Sequence, residues 1–435
     1  ATLTRLVGHA AHLTFNVGLA SLFALTCTGA FGLLYELVRT AGRAGGSAAG
    51  SPRRGDRPVA WGLLGAALVA VMGNLEGFLE VLYSLRLLPA ALWQWLDIED
   101  LSQPFAPGQL PSLLPTRSGW WWWRASRVIR DLDPQGQPMP VQPIDEFPGF
   151  SFLLGDMHPH VLALPFVLLA LILAFWALRQ APAPEGSSER TQTWWEPVRH
   201  LPLLVPLCLG ALGFLNTWDF PIYWLLFVVA YGLGRWAQYG AVGRPFLRDV
   251  ALTGGAALVL GFLLYLPFYI GFQSQAGGLL PTLYVGTRFR QYFVMFGPFL
   301  VALAGLLLIL ARREAQAGGL GRRWLGWTAA FLLLPLVLMV VLVLGLLLTE
   351  AGRQVLEGIR QNPAVYAIVG DRPWPAVIAQ LVLVKLRTWV MPLVVAAMAG
   401  LGAALLQARF RAQPGAEAGK GGAEDHGEAR DAVHF

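Results

Sequence analysis

The chain is 435 residues long, 55% apolar and only 13% charged, where an average soluble domain carries roughly 25% charged residues. Together with a mean hydropathy of +0.53, this excludes an ordinary soluble protein; a bilayer span uses only about 20 apolar residues, so one polytopic domain accounts for the length. The formal net charge of +6 does not indicate nucleic acid, because the cations stand in short clusters between apolar runs, as loops held at an anionic leaflet do.

Taken in chain order, apolar runs predict helices at about 10–38, 59–84, 151–178, 201–217, 220–236, 249–271, 291–311, 325–348 and 376–407. The expectation is an all-α, polytopic transmembrane helix bundle of about nine spans, a multi-pass protein of the cell membrane. Asn216, Thr217, Trp218, Asp219 and Pro221 separate the fourth run from the fifth, either as a tight hairpin or as a broken helix. Arg39, Arg43, Arg53, Arg54 and Arg57 follow the first run; Arg179, Arg190 and Arg199 follow the third; Arg235, Arg244 and Arg248 follow the fifth; Arg312, Arg313, Arg322 and Arg323 follow the seventh. Every second loop is therefore basic, which predicts an outer N-terminus and an inner C-terminus. The expected organisation is a transmembrane domain over 1–408 with a long outer loop at 88–150, then a disordered cytoplasmic tail at 409–435, rich in Gly, Ala and charge.

Cys27 and Cys208 lie inside apolar runs and no CxxC occurs, so neither a disulfide framework nor a zinc site of that type is expected. The chain opens ATLTRLVGHAAHLTF, without an initiator Met or a signal pattern, and reads as a piece of a longer protein.

On this topology the unusual residues gather on the outer side. In GNLEGFLE, Glu76 and Glu80 are four apart and share a helix face, with Asn74 offset; they suit a general base, a cation site or a proton path, or else the span stops at Gly73 and both acids are wet. Glu76, nearer the apolar run, is the one expected to be buried. In SGWWWWRASRVIRDLD, Trp120 to Trp123 precede Arg124, Arg127 and Arg130, which fits a lipid-phosphate site or an aromatic belt with snorkelling arginines. IDEFPGFSF brings Asp145 and Glu146 to the mouth of the third span, as acids for an acceptor hydroxyl or a metal, or as a solvated pair.

GDMHPH, residues 155–160, is the densest polar motif in any apolar segment. Asp156, His158 and His160 are suitable ligands for a divalent metal, yet on a helix the two histidines would point about 200° apart. Chelation by both needs extended backbone around Pro159, which Pro159 supplies if it opens the following helix and leaves His158 near the N-cap. The alternative is a capped helix entry with Asp156 at the dipole's positive end. Farther along, Asn216 and Asp219 can hydrogen-bond a hydroxylated ligand, Trp218 can stack on a sugar face, and Arg288 or Arg290 can meet a phosphate. Lys385 and Arg387 interrupt the ninth run, with Asp371 a candidate partner. No P-loop, GxGxxG, HExxH or GxSxG is present, which argues against nucleotide-driven and metalloprotease chemistry.

The runs WWWWRASRVI, IDEFPGFSFLLGDMHPHVLALPF and GFLNTWDFPIYW resemble the YYY family of multi-pass membrane proteins of Chloroflexi and archaea, from about Phe15 to beyond Trp224. That family is similar in general architecture to GT-C glycosyltransferases, which take sugar from a polyprenyl-phosphate carrier at the outer face. The family's Tyr-Tyr-Tyr motif does not occur in this sequence and would lie just upstream, as would the acid of the first outer loop in GT-C enzymes. The resemblance reaches Glu146, Asp156, His158, His160, Asn216 and Asp219 as motif positions without assigning roles.

The resulting expectation is a lipid-linked sugar transferase, or part of one. Asp156 or Glu146 would take the acceptor proton, Arg127 or Arg288 would neutralise the lipid phosphate, and His158 with His160 would hold a metal or that phosphate. Asn74, Glu76, Asn216, Trp218 and Asp219 complete the expected substrate contacts. The rival expectations are a transporter or channel subunit, and a structural membrane protein.

Overall fold

The computed structural model describes residues 8–44, 57–99, 101, 111, 121–179, 201–239, 242–273, 285–316 and 320–411. Ser274 to Gly278, Trp120, Arg53, Arg54, Arg190, Arg199 and the expected tail from 412 onward lie outside the described residues. Among those described, the structure is helical, with an isolated bridge between Leu132 and Pro138.

Each apolar run forms a helix, but not each forms an uninterrupted span. Seven helices are long and apolar enough to cross a bilayer: Ala11–Ala41, Pro159–Leu178, Asp219–Ala237, Arg244–Leu264, Phe289–Gln316, Arg323–Leu348 and Val390–Arg409. Pro58–Val71 and Glu76–Ser84, counted together as a broken span, make an eighth. The predicted fourth span is the 12-residue helix Leu204–Leu215; at 1.5 Å per residue it reaches about 18 Å, short of a hydrocarbon core of about 30 Å. The ninth run divides at Thr388 into Trp374–Arg387 and Val390–Arg411. Hydropathy averages over such breaks, which explains why nine continuous spans were expected.

The described chain forms two compact units. The first comprises the described residues within 1–72 and 151–275. Its core joins Ala163, Ala170, Leu173 and Ala177 to Val205, Cys208, Leu209 and Leu212, with Phe220, Phe227 and Ala257. Small side chains let these helices approach closely, as lipid-embedded helices must when no hydrophobic drive separates neighbour from solvent. Gly234 illustrates the distance: a Cβ there would meet the Leu178 carbonyl oxygen at 2.6 Å. The helices Asp219–Tyr239 and Arg244–Leu264 are tied by Arg235, whose Nε donates to Asp249 Oδ2 at 3.0 Å, and by the Tyr239 hydroxyl, which donates to the same oxygen at 2.8 Å.

The second unit comprises Gly73–Phe150 and Ala276–Ala412. Much of the expected outer loop is folded here rather than passive. The short helix Ala90–Leu96 brings Trp93 and Leu96, together with Ile98, Leu101 and Val128, against Tyr83, Val294 and Met295. Elsewhere in this unit the Arg323–Leu348 helix is apolar all round and almost wholly exposed, the surface of a helix that faces lipid.

Candidate functional site

In the first unit the two predicted motifs converge. The helix Pro148–Leu154 ends where Gly155 takes φ +75°, a left-handed conformation that costs glycine nothing. Gly155 N–H donates to the Phe152 carbonyl at 3.2 Å and Asp156 N–H to the Ser151 carbonyl at 3.0 Å, which is the pair of bonds of a Schellman ending. The chain then leaves extended: His158 is the N-cap, at φ −59° and ψ 156°, and Pro159 opens the Pro159–Leu178 helix. His158 makes no side-chain capping bond; its Nδ1 is instead bound to Asp156 Oδ2. The His158 and His160 rings lie 5.7 Å apart between centroids, so the expected extended backbone around Pro159 is present.

The NTWDF motif forms a tight turn. Asn216, extended at φ −146°, closes the Leu204–Leu215 helix, and Asp219 opens the next. Asp219 N–H donates to the Asn216 carbonyl at 2.9 Å, and Asn216 Nδ2 donates to Asp219 Oδ2 at 3.1 Å. His160 lies within electrostatic reach of the Asp219 carboxylate. Asp156, His158, His160, Asn216 and Asp219 thus all belong to one unit, with Trp218 half exposed beside them.

In the neutral imidazole whose Nδ1 donates to Asp156, Nε2 carries the lone pair. Such an imidazole can accept a proton or bind a metal, the carboxylate fixing its orientation from behind. Asp156 and His158 also belong to a group of side chains that could hold a metal ion.

The remaining predicted residues fall in the second unit. Glu146 is half-buried ahead of the Pro148–Leu154 helix. Asn74 is occupied within the protein: Nδ2 donates to the Ala125 carbonyl at 2.5 Å, while Oδ1 accepts from Glu76 N–H at 3.0 Å. Glu76 and Glu80 are both buried, not Glu76 alone, and Glu80 pairs with the buried Arg124; the wet alternative is excluded because the helix resumes at Glu76 after the break. Arg127 donates to the Ser126 carbonyl at 2.9 Å and stacks 4.5 Å above the Trp123 ring. Lys385 has Asp131 as its electrostatic partner, not Asp371, whose carboxylate accepts from Tyr366. Arg387 is exposed.

Arg288 occupies a constellation that sequence reasoning missed. Its Nη1 donates to Asp97 Oδ2 at 2.6 Å, and Arg130 Nη1 donates to Asp97 Oδ1 at 2.9 Å. Asp97 itself stands in a left-handed conformation, φ 53° and ψ 46°, at the end of the Ala90–Leu96 helix. The fully buried Gln291 donates to the Asp97 carbonyl at 2.9 Å and accepts from Arg130 N–H at 3.3 Å. The sequence had marked Arg288 and Arg290 as able to meet a phosphate, but nothing in it pointed to Asp97 or Gln291 as their neighbours.

Over residues 1–410 the sequence matches the family described as Uncharacterized membrane protein (DUF2298). No curated protein and no solved structure matches the chain. With a family match over nearly its whole length and at least seven helices fit to cross a bilayer, the chain belongs to the DUF2298 family and is a multi-pass integral membrane protein.

Proposed function

We propose that the protein is a glycosyltransferase working at the membrane surface, moving a sugar from a polyprenyl-phosphate carrier to a hydroxyl acceptor. The observation that carries this reading is the Asp156–His158 contact beside His160, Asn216 and Asp219. In the transfer, the acceptor hydroxyl gives its proton to His158 Nε2 and its oxygen bonds to the anomeric carbon. That carbon's bond to the phosphate oxygen breaks, and the electron pair leaves with the polyprenyl phosphate. Asp156 holds the required tautomer and stabilises the imidazolium that forms. Asn216 and Asp219 supply hydrogen bonds to sugar hydroxyls, and the exposed Trp218 ring a face for the pyranose. His158 Nε2 and His160 are also the imidazoles that a divalent cation would take.

The resemblance to the GT-C architecture supports this choice of reaction. A transporter would call for ionisable groups along the middle of its spans, and neither Pro159–Leu178 nor Arg323–Leu348 carries one away from its ends.

The test is release of polyprenyl monophosphate from polyprenyl-phosphate hexoses by the full chain in nanodiscs, with an alkyl glycoside as acceptor and with or without a chelator. His158→Ala and Asp156→Asn are each expected to slow release about 100-fold or more. Wild-type rates in both variants, or no release by the wild type from any hexose donor, would remove this reading; sensitivity to the chelator would assign the two histidines to a metal.

A further inference from the structure

We propose that the cluster of Arg130, Arg288 and Arg290 around Asp97, in the second unit, is a binding site for a phosphate group. Among the described residues, Arg130 and Arg288 pair with Asp97 and Arg290 lies within electrostatic reach of both Arg288 and Asp97, so one carboxylate serves three guanidinium groups. Each oxygen of Asp97 already accepts from one arginine, Arg130 at 2.9 Å and Arg288 at 2.6 Å. Among the described residues, Arg288 Nη2 and Arg290 Nε are buried and have no hydrogen-bond partner. A buried charged donor with no acceptor is costly, and a second like charge alongside raises the cost.

An anion removes both costs at once. Phosphate suits better than a carboxylate: it carries up to two charges and has enough oxygens to meet two guanidinium groups together, where a carboxylate would fill one fork and leave the other. The arginines are held for this rather than left swinging in water. Gln291 bridges the Asp97 carbonyl and the Arg130 backbone, and Arg290 lies 5.6 Å over the Trp95 ring. Entry remains open, since the Arg130 and Arg288 side chains keep 28% and 18% of their surface exposed. A small rotation of either guanidinium then turns its unmet donor toward the incoming oxygens. The site depends on a phosphate group, whether borne by a lipid headgroup or free in solution, and not on glycosyl transfer.

Binding is read by thermal midpoint and titration of the full chain in phosphatidylcholine nanodiscs. One arm adds inorganic phosphate; the other dopes the nanodiscs with phosphatidic acid, a lipid phosphate monoester. At least one arm should raise the midpoint saturably, Arg290→Gln should weaken that response tenfold or more, and Arg290→Lys should keep part of it. Arg290→Gln gives up the contact with the Trp95 ring, so each variant's response is read from its own unliganded midpoint, with Arg288→Gln as the second variant if Arg290→Gln does not fold. A response to phosphatidic acid alone identifies a lipid headgroup as the source; a response to inorganic phosphate alone identifies a soluble one. No response in either arm, or undiminished affinity in both Gln variants, overturns the proposal. Phosphate binding without release of carrier lipid in the transfer assay keeps this site and removes the glycosyl reading.

Discussion

Asp145 shows how little of a residue's chemistry its neighbours in sequence reveal. It reads as half of a solvated Asp145–Glu146 pair, yet it is buried, its own N–H donating to the Ser126 carbonyl at 2.9 Å and its Oδ2 accepting from Ile129 N–H at 2.6 Å. Burial pushes its carboxyl up to about 6, against the pull of the Ile129 and Val128 N–H groups and the Arg127 charge. A raised carboxyl means that the folded state binds the proton more tightly than the unfolded one, so its contribution to stability is fully present below about 4 and is lost as pH rises through about 6. The stability of the detergent-solubilised protein, followed by its thermal midpoint, should therefore fall between pH 4 and pH 7 by an amount on the order of 1–3 kcal/mol. Asp145→Asn, which still accepts from Ile129 N–H, should flatten that part of the profile; an unchanged slope would show that other groups set it. The histidines of GDMHPH were better legible, because Pro159 directly after His158 restricts the local backbone enough to foresee its extended course.

At the scale of the element, the polar bonds decide what apolar composition leaves open. Asp219–Tyr239 and Arg244–Leu264 are each apolar enough to span a bilayer alone; Arg235, Tyr239 and Asp249 tie their facing turns together. Asp249 is 5% exposed, and removing one partner of a buried pair leaves the other charge without compensation. Asp249→Ala should destabilise the protein by about 3–5 kcal/mol, read as a lowered thermal midpoint, whereas the joint replacement Arg235→Met/Asp249→Leu should recover most of the loss. A single variant with a wild-type midpoint would mean that water already screens the pair. The same limits explain the misjudged spans. A window of about 18 residues registers total hydropathy and not backbone geometry, so the breaks at Met72–Leu75 and Thr388 are invisible to it, whereas the polar residues of Asn216–Trp218 marked theirs.

At the scale of the whole molecule, the alternation of basic loops predicts which side each loop occupies. In a Cys27→Ala/Cys208→Ala background, an impermeant maleimide applied to intact cells should label a cysteine at Gln137 and spare one at Arg313, with both labelled after permeabilisation; the reverse pattern would invert the orientation. Composition by itself determined that the chain enters a membrane as a helical bundle, because burying backbone in lipid requires every N–H and C=O to be paired within the helix. The sequence likewise marked GDMHPH and NTWDF as unusual, because polar groups beside apolar runs are costly without a purpose. Only the tertiary structure decided which of these groups meet. The bond from Arg288 to Asp97 joins residues 191 positions apart, and Arg130, between them in sequence, completes the cluster. Hydropathy and local motifs act over a few turns of helix, whereas charge pairing follows distance in space, and that distance is set by how the helices pack.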